Sequence, residues 1–506
     1  MRRRLWPFAV LPALSWAISF AAARTIHTVA TYDTAYYYVI ARNVAQGRGL
    51  TDTVLWQFLG VPESVQRPAG GYWEIGWPII LGTLMRLFGH SQRASIFICS
   101  ALSGLVPLAT ALVAYLAAKR LDVAWLAGFL VCLQVRLLAT NITPDATTMY
   151  QLAYLSGMVA LLWVQKRDAS PGQMLAIGVV LAFPMHVRGE GFILGAAALP
   201  LLFFSGGRPS RAATRRTFWV AAGMMGFVLA FVLRDLVVFG HLVPKSRSLR
   251  LWMTRYDDLY RFASDPSPAT FWAQGAVRIA NVRVDALRSH LDGLMHEVPW
   301  PLVAFSVAGV AAMVRSSRTW VLPLFFCLSL LVPCLVVPII ASVDRFAMNV
   351  LPVLCVAASF GIFAVRDAVA RSTAPRFLRF AVLSAATLAC IAVFRDPISF
   401  RTYIDRLRIY RHTPDFLANT RSLAPLHLLP TDVVLTDEPW RVAAVLDVAT
   451  VMCPVDGPAA VDAVVKKYRP RFVIAKSNSS LQRLVAAKKF DLRAVATMKD
   501  ATWYVR

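Results

Sequence analysis

The chain has 506 residues, of which 57% are hydrophobic and only 16% charged, with a formal net charge of +25. Ordinary soluble domains carry about 25% charged residues, so this composition excludes one and describes a polytopic membrane protein. The positive charge does not indicate nucleic acid, because the basic residues stand in connectors between apolar runs, where they report membrane orientation or anionic lipid.

The basic start Arg2-Arg3-Arg4 and the apolar run Leu5 to Ala23 read as a signal peptide ending at Ala21-Ala22-Ala23 or as a retained first span. The run is long for a signal sequence and many spans follow, which favours a retained anchor with its amino terminus in the cytoplasm. Next comes a polar, aromatic-rich stretch, 24–93, with Asp33, a helical run Thr34 to Gln46 and the segment Arg67 to Trp77. The bland role for Asp33 is a helix N-cap. The functional one is a general base at the outer face, with Tyr36, Tyr37 and Tyr38 anchoring its helix in the interface.

Apolar runs then recur near 94–117, 122–138, 149–164, 173–187, 191–204, 218–239, 299–314, 319–341, 346–365 and 380–394. The run 75–89 is ambiguous, being apolar but holding Pro78, Gly82 and Arg86. If it lies in the outer interface, the clusters at Lys119/Arg120, Lys166/Arg167, Arg208 to Arg216, Arg315/Arg318 and Arg366 to Arg379 all face inward. It is therefore read as a re-entrant or amphipathic juxtamembrane helix, giving eleven spans and a carboxyl terminus outside. From about 395 the pattern changes to short strands at Thr431 to Thr436, Ala449 to Cys453 and Arg471 to Ala475. Helical runs Glu438 to Asp447 and Pro458 to Tyr468 separate them, an α/β domain of modest size. The expected organisation is a transmembrane domain over 1–394 and a soluble extracytoplasmic domain over 395–506.

Ionisable groups gather on the predicted outward side. Asp145 closes the turn Asn141 to Asp145, His186, Arg188 and Glu190 form another, and Arg234-Asp235 sit at the outer end of a span. Charges near spans need a polar cavity or partners, so these mark either an outward cavity or simple pairing, Arg188 with Glu190 for example. The loop 240–298 adds Lys245 and seven arginines, suited to clamping phosphate, although long loops also tolerate positive charge. Six of the seven cysteines fall in apolar runs, so a disulfide framework or cysteine metal site is not expected. Sequons stand at Asn141 and Asn478, and there is no internal repeat or phosphate loop.

Several motifs together resemble the GT-C superfamily of membrane glycosyltransferases, in the branch with protein O-mannosyltransferases and aminoarabinose transferases. They are Tyr32-Asp33 through Tyr38 with Ala41-Arg42-Asn43 and Gly47-Arg48-Gly49, Arg67-Pro68 with Tyr72-Trp73, and Trp77-Pro78. Thr143-Pro144-Asp145, Arg188-Gly189-Glu190-Gly191, Pro244-Lys245-Ser246 and Asp344-Arg345-Phe346 continue the series.

The resemblance implies an inverting enzyme that takes its sugar from a polyprenyl-phosphate carrier, with Asp33 as catalytic base. Asp145 corresponds to the second-loop acid, and the substrate-binding set is Asp145, Arg67, Tyr72, Trp73, Glu74, His186, Arg188, Glu190, Arg234, Lys245 and Arg345. Many relatives follow the first acid with a second. Here Thr34 follows it, so no cofactor is firmly implied and a divalent metal is doubtful. The expected partners are the lipid-linked donor, a glycan, lipid or protein acceptor, and membrane lipids. A flippase or transporter of lipid-linked glycans and a non-catalytic envelope component are the competing classes. A transporter would show repeats and midplane polar sites.

Overall fold

The computed structural model describes residues 6–29, 32–165, 169–204, 210–315, 343–373, 375–377, 427–486, 493–497 and 501–505, with isolated positions between. The predicted spans 319–341 and 380–394 and the start of the carboxyl-terminal segment lie outside the described residues, and so do the side chains of Arg136 and Arg345.

The first helix, α1 (Trp6–Ala23), is followed by α2 (Tyr32–Ala45). Two-residue strands β1 (Thr51–Asp52), β2 (Val54–Leu55) and β3 (Arg67–Pro68) precede α3 (Gly76–Phe88). Helices α4 (Gln92–Ser103), α5 (Leu105–Ala118), α6 (Leu121–Cys132), α7 (Val135–Asn141), α8 (Thr147–Val164), α9 (Pro171–Val187), α10 (Phe192–Phe203) and α11 (Arg211–Phe239) follow. Three helical stretches among the described residues have the length and apolarity to cross a membrane: Gln92–Ala118, Arg211–Phe239 and Met348–Arg371.

The run predicted as one span at 94–117 divides at Gly104, where the Trp16 indole occupies the space a side chain would need. Trp16 also donates to the Ala101 carbonyl at 2.7 Å, which ties α1 to this bend. The run at 122–138 likewise breaks after Cys132 and resumes as α7. Helix α3 has 13 residues, about 20 Å of helix against a hydrocarbon core of about 30 Å. It buries Trp77, Leu81 and Met85 and exposes Leu87 and Phe88. A Cβ on Gly82 would meet the Ala41 carbonyl oxygen at 2.7 Å, so α2 and α3 pack almost backbone to backbone.

Basic connectors converge at one end of the bundle. Arg120 bridges Asp122 and Asp367 at 2.7 and 3.0 Å, Arg366 reaches Asp122 at 3.8 Å, and Arg216 donates to the Gln165 carbonyl.

The carboxyl-terminal strands are β4 (Val433–Thr436), β5 (Ala449–Met452), β6 (Phe472–Lys476), β7 (Arg493–Thr497) and β8 (Ala501–Val505), with helices Pro439–Leu446 and Pro458–Tyr468 where the sequence predicts helix. The sheet order is β2-β5-β4-β6-β8-β7, parallel through β6 and antiparallel in the β8-β7 edge. Alternation puts Val434, Phe472 and Ile474 on one face and Leu435, Val473 and Ala475 on the other, each under its own apolar cluster. The β2 edge belongs to the loop after α2, so a strand from the predicted first outer loop completes the carboxyl-terminal sheet.

Candidate active site

The site is assembled from the connectors at the end of the bundle that bears the sheet. Asp33 stands in the first turn of α2, half-buried. Thr34 donates its hydroxyl to the Val29 carbonyl at 3.0 Å, so the residue after Asp33 holds the entry to the helix. Tyr36, Tyr37 and Tyr38 are all less than 5% exposed. The expectation that they anchor α2 in the interface is therefore corrected. Burial raises the Tyr36 and Tyr37 hydroxyls well above their ordinary range, keeping both protonated.

Their partners are aromatic. Trp73 lies against Tyr36 and Tyr37 at 4.7 and 5.7 Å between ring centroids and stacks on Trp56 at 4.5 Å. Tyr72 meets Trp56 edge-on at 4.9 Å, and Trp440 from the sheet domain approaches Tyr32 at 5.4 Å and Trp56 at 6.0 Å. The Tyr36 hydroxyl also bonds to Asp52, which Arg67 pairs at 2.9 Å. Arg67 thus ties β3 to β1 through Asp52.

The charged half is continuous with this wall. Trp77 donates to the Pro144 carbonyl at 2.9 Å, which holds the turn that presents Asp145. Asp145 accepts from the Thr147 amide at 2.8 Å and hydroxyl at 2.5 Å and lies 4.0 Å from Arg188. Arg188 binds Glu190 at 2.6 Å, and Asn349 donates to the same Glu190 oxygen at 3.0 Å. Burial opposes the charged Arg188, but Glu190 and Asp145 outweigh it and the guanidinium is held charged. Pairing and convergence therefore coexist, since Arg188 joins two turns as well as its own neighbour.

A second knot faces it. Arg247 contacts Glu74 at 3.2 Å, Asp235 at 3.8 Å and the Gly70 carbonyl at 2.7 Å. Arg234 pairs with Asp235 at 2.7 Å and donates to Ala69, while Ser246 donates to Gly71 at 2.6 Å. Arg250 lies over Tyr72 at 5.4 Å and, with Glu74, borders Gly189. Burial raises the Glu74 carboxyl above its ordinary range, with Arg247 and Arg250 opposing. Lys245 pairs with Asp265 at 3.5 Å and stays 59% exposed. His186 is stacked on Phe231 at 3.6 Å, inside the packing of α9 on α11. Among the described residues, no group of three or more His, Cys, Asp or Glu side chains is gathered to hold a metal ion.

No protein-family model matches this sequence, and no curated protein matches it. Solved structures match the fold nearly end to end. ArnT from Cupriavidus metallidurans bound to undecaprenyl phosphate aligns with a TM-score of 0.63, over 98% of this chain and 97% of that one, at 13% identity. The Archaeoglobus fulgidus oligosaccharyltransferase in the apo form aligns with a TM-score of 0.61, over 94% of this chain and 69% of that one, at 14% identity. The chain thus shares the fold of these two transferases. AglB of the same archaeon, in complex with an inhibitory peptide and a dolichol-phosphate, aligns at 0.58 and 14% identity over the same shares.

Within this fold the chain adds contributors that its sequence did not single out: Asp52, Trp56, Asn349 and Trp440. The segment Thr51-Asp52-Thr53-Val54-Leu55-Trp56 is rich in β-branched and aromatic residues, a strand composition that gives a local signal for the first two. Asn349 and Trp440 sit in an apolar helix and a distant domain, where local pattern carries no such signal. The Asn141 sequon is buried and its side chain donates to Gln151 at 2.9 Å, so only Asn478 remains exposed for modification.

Proposed function

We propose that this protein is an integral-membrane glycosyltransferase that moves a sugar from a polyprenyl-phosphate donor to an acceptor hydroxyl, with inversion and with Asp33 as general base. The observation that carries the reading is the gathering of Asp33's helix, the Asp145 and Glu190 turns and the arginines of 234–250 at one end of a GT-C fold. Two fold neighbours hold polyprenyl phosphates, undecaprenyl phosphate in one and dolichol-phosphate in the other, which supports a donor of that class.

The reaction is a single displacement. The acceptor oxygen attacks the anomeric carbon while the bond to the phosphate oxygen breaks, and the electron pair leaves with the lipid phosphate. Asp33 takes the acceptor proton, and the carbon inverts because attack and departure occur on opposite faces. A phosphate leaving group is a weak base, so it needs positive charge rather than an acid. Arg188 and Arg250, with the exposed Lys245, are suited to that. Tyr72, Trp73 and Trp56 offer faces for a sugar ring or the first isoprene units.

The orientation follows the charges: the end with Arg120, Arg216 and Arg366 faces the cytoplasm, and the Asp33 end with residues 395–506 faces outward. The test is transfer by purified Asp33→Asn protein. Asn is nearly isosteric with Asp and in the first helical turn loses only a helix-dipole interaction of about 0.3–1 kcal/mol, so folding should persist, whereas loss of a general base typically costs about 10²- to 10⁴-fold. Near wild-type transfer would remove Asp33 from the mechanism and make Asp145 the next candidate. Mass spectrometry of envelope glycans and lipid-linked sugars with and without the gene would identify the donor and acceptor.

A further inference from the structure

Beyond the aromatic wall, the loop 250–278 encloses a second pocket of about 340 Å³, whose lining includes Trp252, Arg255, Asp258, Arg261, Asp265 and Arg278. That volume is at the lower end of the range for small-ligand sites, about 300–1,000 Å³, room for a mono- or disaccharide. Its acids are already committed. Asp258 accepts from the Thr254 amide and hydroxyl and the Arg255 amide through one oxygen, and faces Arg261 at 3.7 Å with the other. Asp265 accepts from the Gly60 amide at 2.7 Å and pairs with Lys245 at 3.5 Å.

Among the described residues, no carboxylate lies within 4.0 Å of the Arg255 or Arg278 guanidinium, and both residues are exposed on the pocket's rim. Two arginine forks therefore remain to meet a negative group. Trp252 supplies the apolar side, its ring fixed edge-on by Phe271 at 5.8 Å. An aromatic face beside a polar, cationic rim is the pairing that recognises a sugar ring carrying an anionic substituent.

We propose that this pocket binds an anionic sugar, with its ring against Trp252 and its phosphate or carboxylate between Arg255 and Arg278. None of these residues belongs to the Asp33 site, so the inference stands whatever reaction occurs there. The loop is also braced by the sheet domain, since Asp456 accepts from the Phe262 and Ala263 amides at 2.9 and 2.7 Å. The segment that lines the pocket is therefore tied to the sheet domain rather than free.

The test is calorimetric titration of the purified full chain in phosphatidylcholine nanodiscs with glucose 1-phosphate, glucuronate and glucose. At least one anionic sugar should bind, with glucose weaker by about tenfold or more. Binding of glucose 1-phosphate alone assigns a phosphate, and binding of glucuronate alone assigns a carboxylate. The double variant Arg255→Gln/Arg278→Gln should weaken the anionic sugar about tenfold or more, and Arg255→Lys/Arg278→Lys should restore part of it. Asp33→Asn should leave this binding unchanged, which separates the pocket from the proposed reaction. Absence of binding, equal binding of glucose, or undiminished binding by the folded glutamine variant overturns the proposal.

Discussion

Arg42 is the residue through which the sheet domain grips the helix that carries Asp33. Its guanidinium donates to the Ala443 and Ala444 carbonyls at 3.0 and 3.2 Å and pairs with Asp447 at 2.6 Å, with its side chain only 7% exposed. Asp447 is 36% exposed, so solvent screening reduces that ion pair to about 0–1 kcal/mol. Hydrogen bonds from a charged donor contribute about 1.5–3 kcal/mol each; the two carbonyls lie in the last turn of the helix Pro439–Leu446, where Ala443 also accepts from the Asp447 amide at 3.1 Å and Ala444 from the Gln92 side chain at 3.1 Å.

Replacing Arg42 with Met keeps the stem's packing and removes the head. Some of the loss is recovered by water and by Arg48, which also reaches Asp447 at 2.9 Å. A net cost of about 3 kcal/mol remains, equivalent to roughly 100-fold more frequent opening of the junction. Hydrogen exchange read by mass spectrometry on Pro439–Leu446 and α2 should report that increase, while α5 and α8 in the bundle stay protected. Unchanged protection of both junction helices would refute the assignment of Arg42 as the clamp.

The remaining predictions concern packing, pH, charge and topology. Gly82→Ala places a Cβ 2.7 Å from the Ala41 carbonyl oxygen and should destabilise by about 1–3 kcal/mol, seen as a lower thermal midpoint; an unchanged midpoint contradicts the close approach. Burial raises Glu74 from its ordinary 4.5, so its stabilising contribution is complete below that pH and is lost as pH rises through the higher folded value. Glu74→Gln should flatten the decline in stability above pH 4.5, and an unaltered slope would count against the buried site. Arg188→Lys keeps charge but cannot reach both Glu190 and Asp145 with one planar fork; transfer should fall about tenfold or more, and full activity would exclude the bridge from catalysis. Cysteine labelling should find Ser210 accessible from the cytoplasm and Asn478 from outside, and either reversed result rejects the orientation.

Much of the fold was legible along the chain because apolar length and helix period are local properties. The strand and helix alternation after Thr431 and the helix at 75–89 follow from it. The interruptions at Gly104 and Gln134 were not legible, and at Gly104 the local sequence could not show that the distant Trp16 packs against it. Tyr36, Tyr37 and Tyr38 mislead for a related reason: adjacent tyrosines suit an interface, and only Trp73, Trp56 and the sheet domain bury them.

The sequence by itself determined the class of molecule, the positions of the charged turns and Asp33 as the acid to test, since charge beside an apolar run is costly unless it has a function or a partner. Tertiary structure decided which charges are spent. Arg67 is used on Asp52, Arg247 on Glu74 and Arg42 on the sheet domain, while Arg255 and Arg278 stay at a pocket rim. No local pattern separates these arginines. Whether a guanidinium is neutralised depends on carboxylates and carbonyls brought within about 3 Å from distant parts of the chain, and only folding supplies those neighbours.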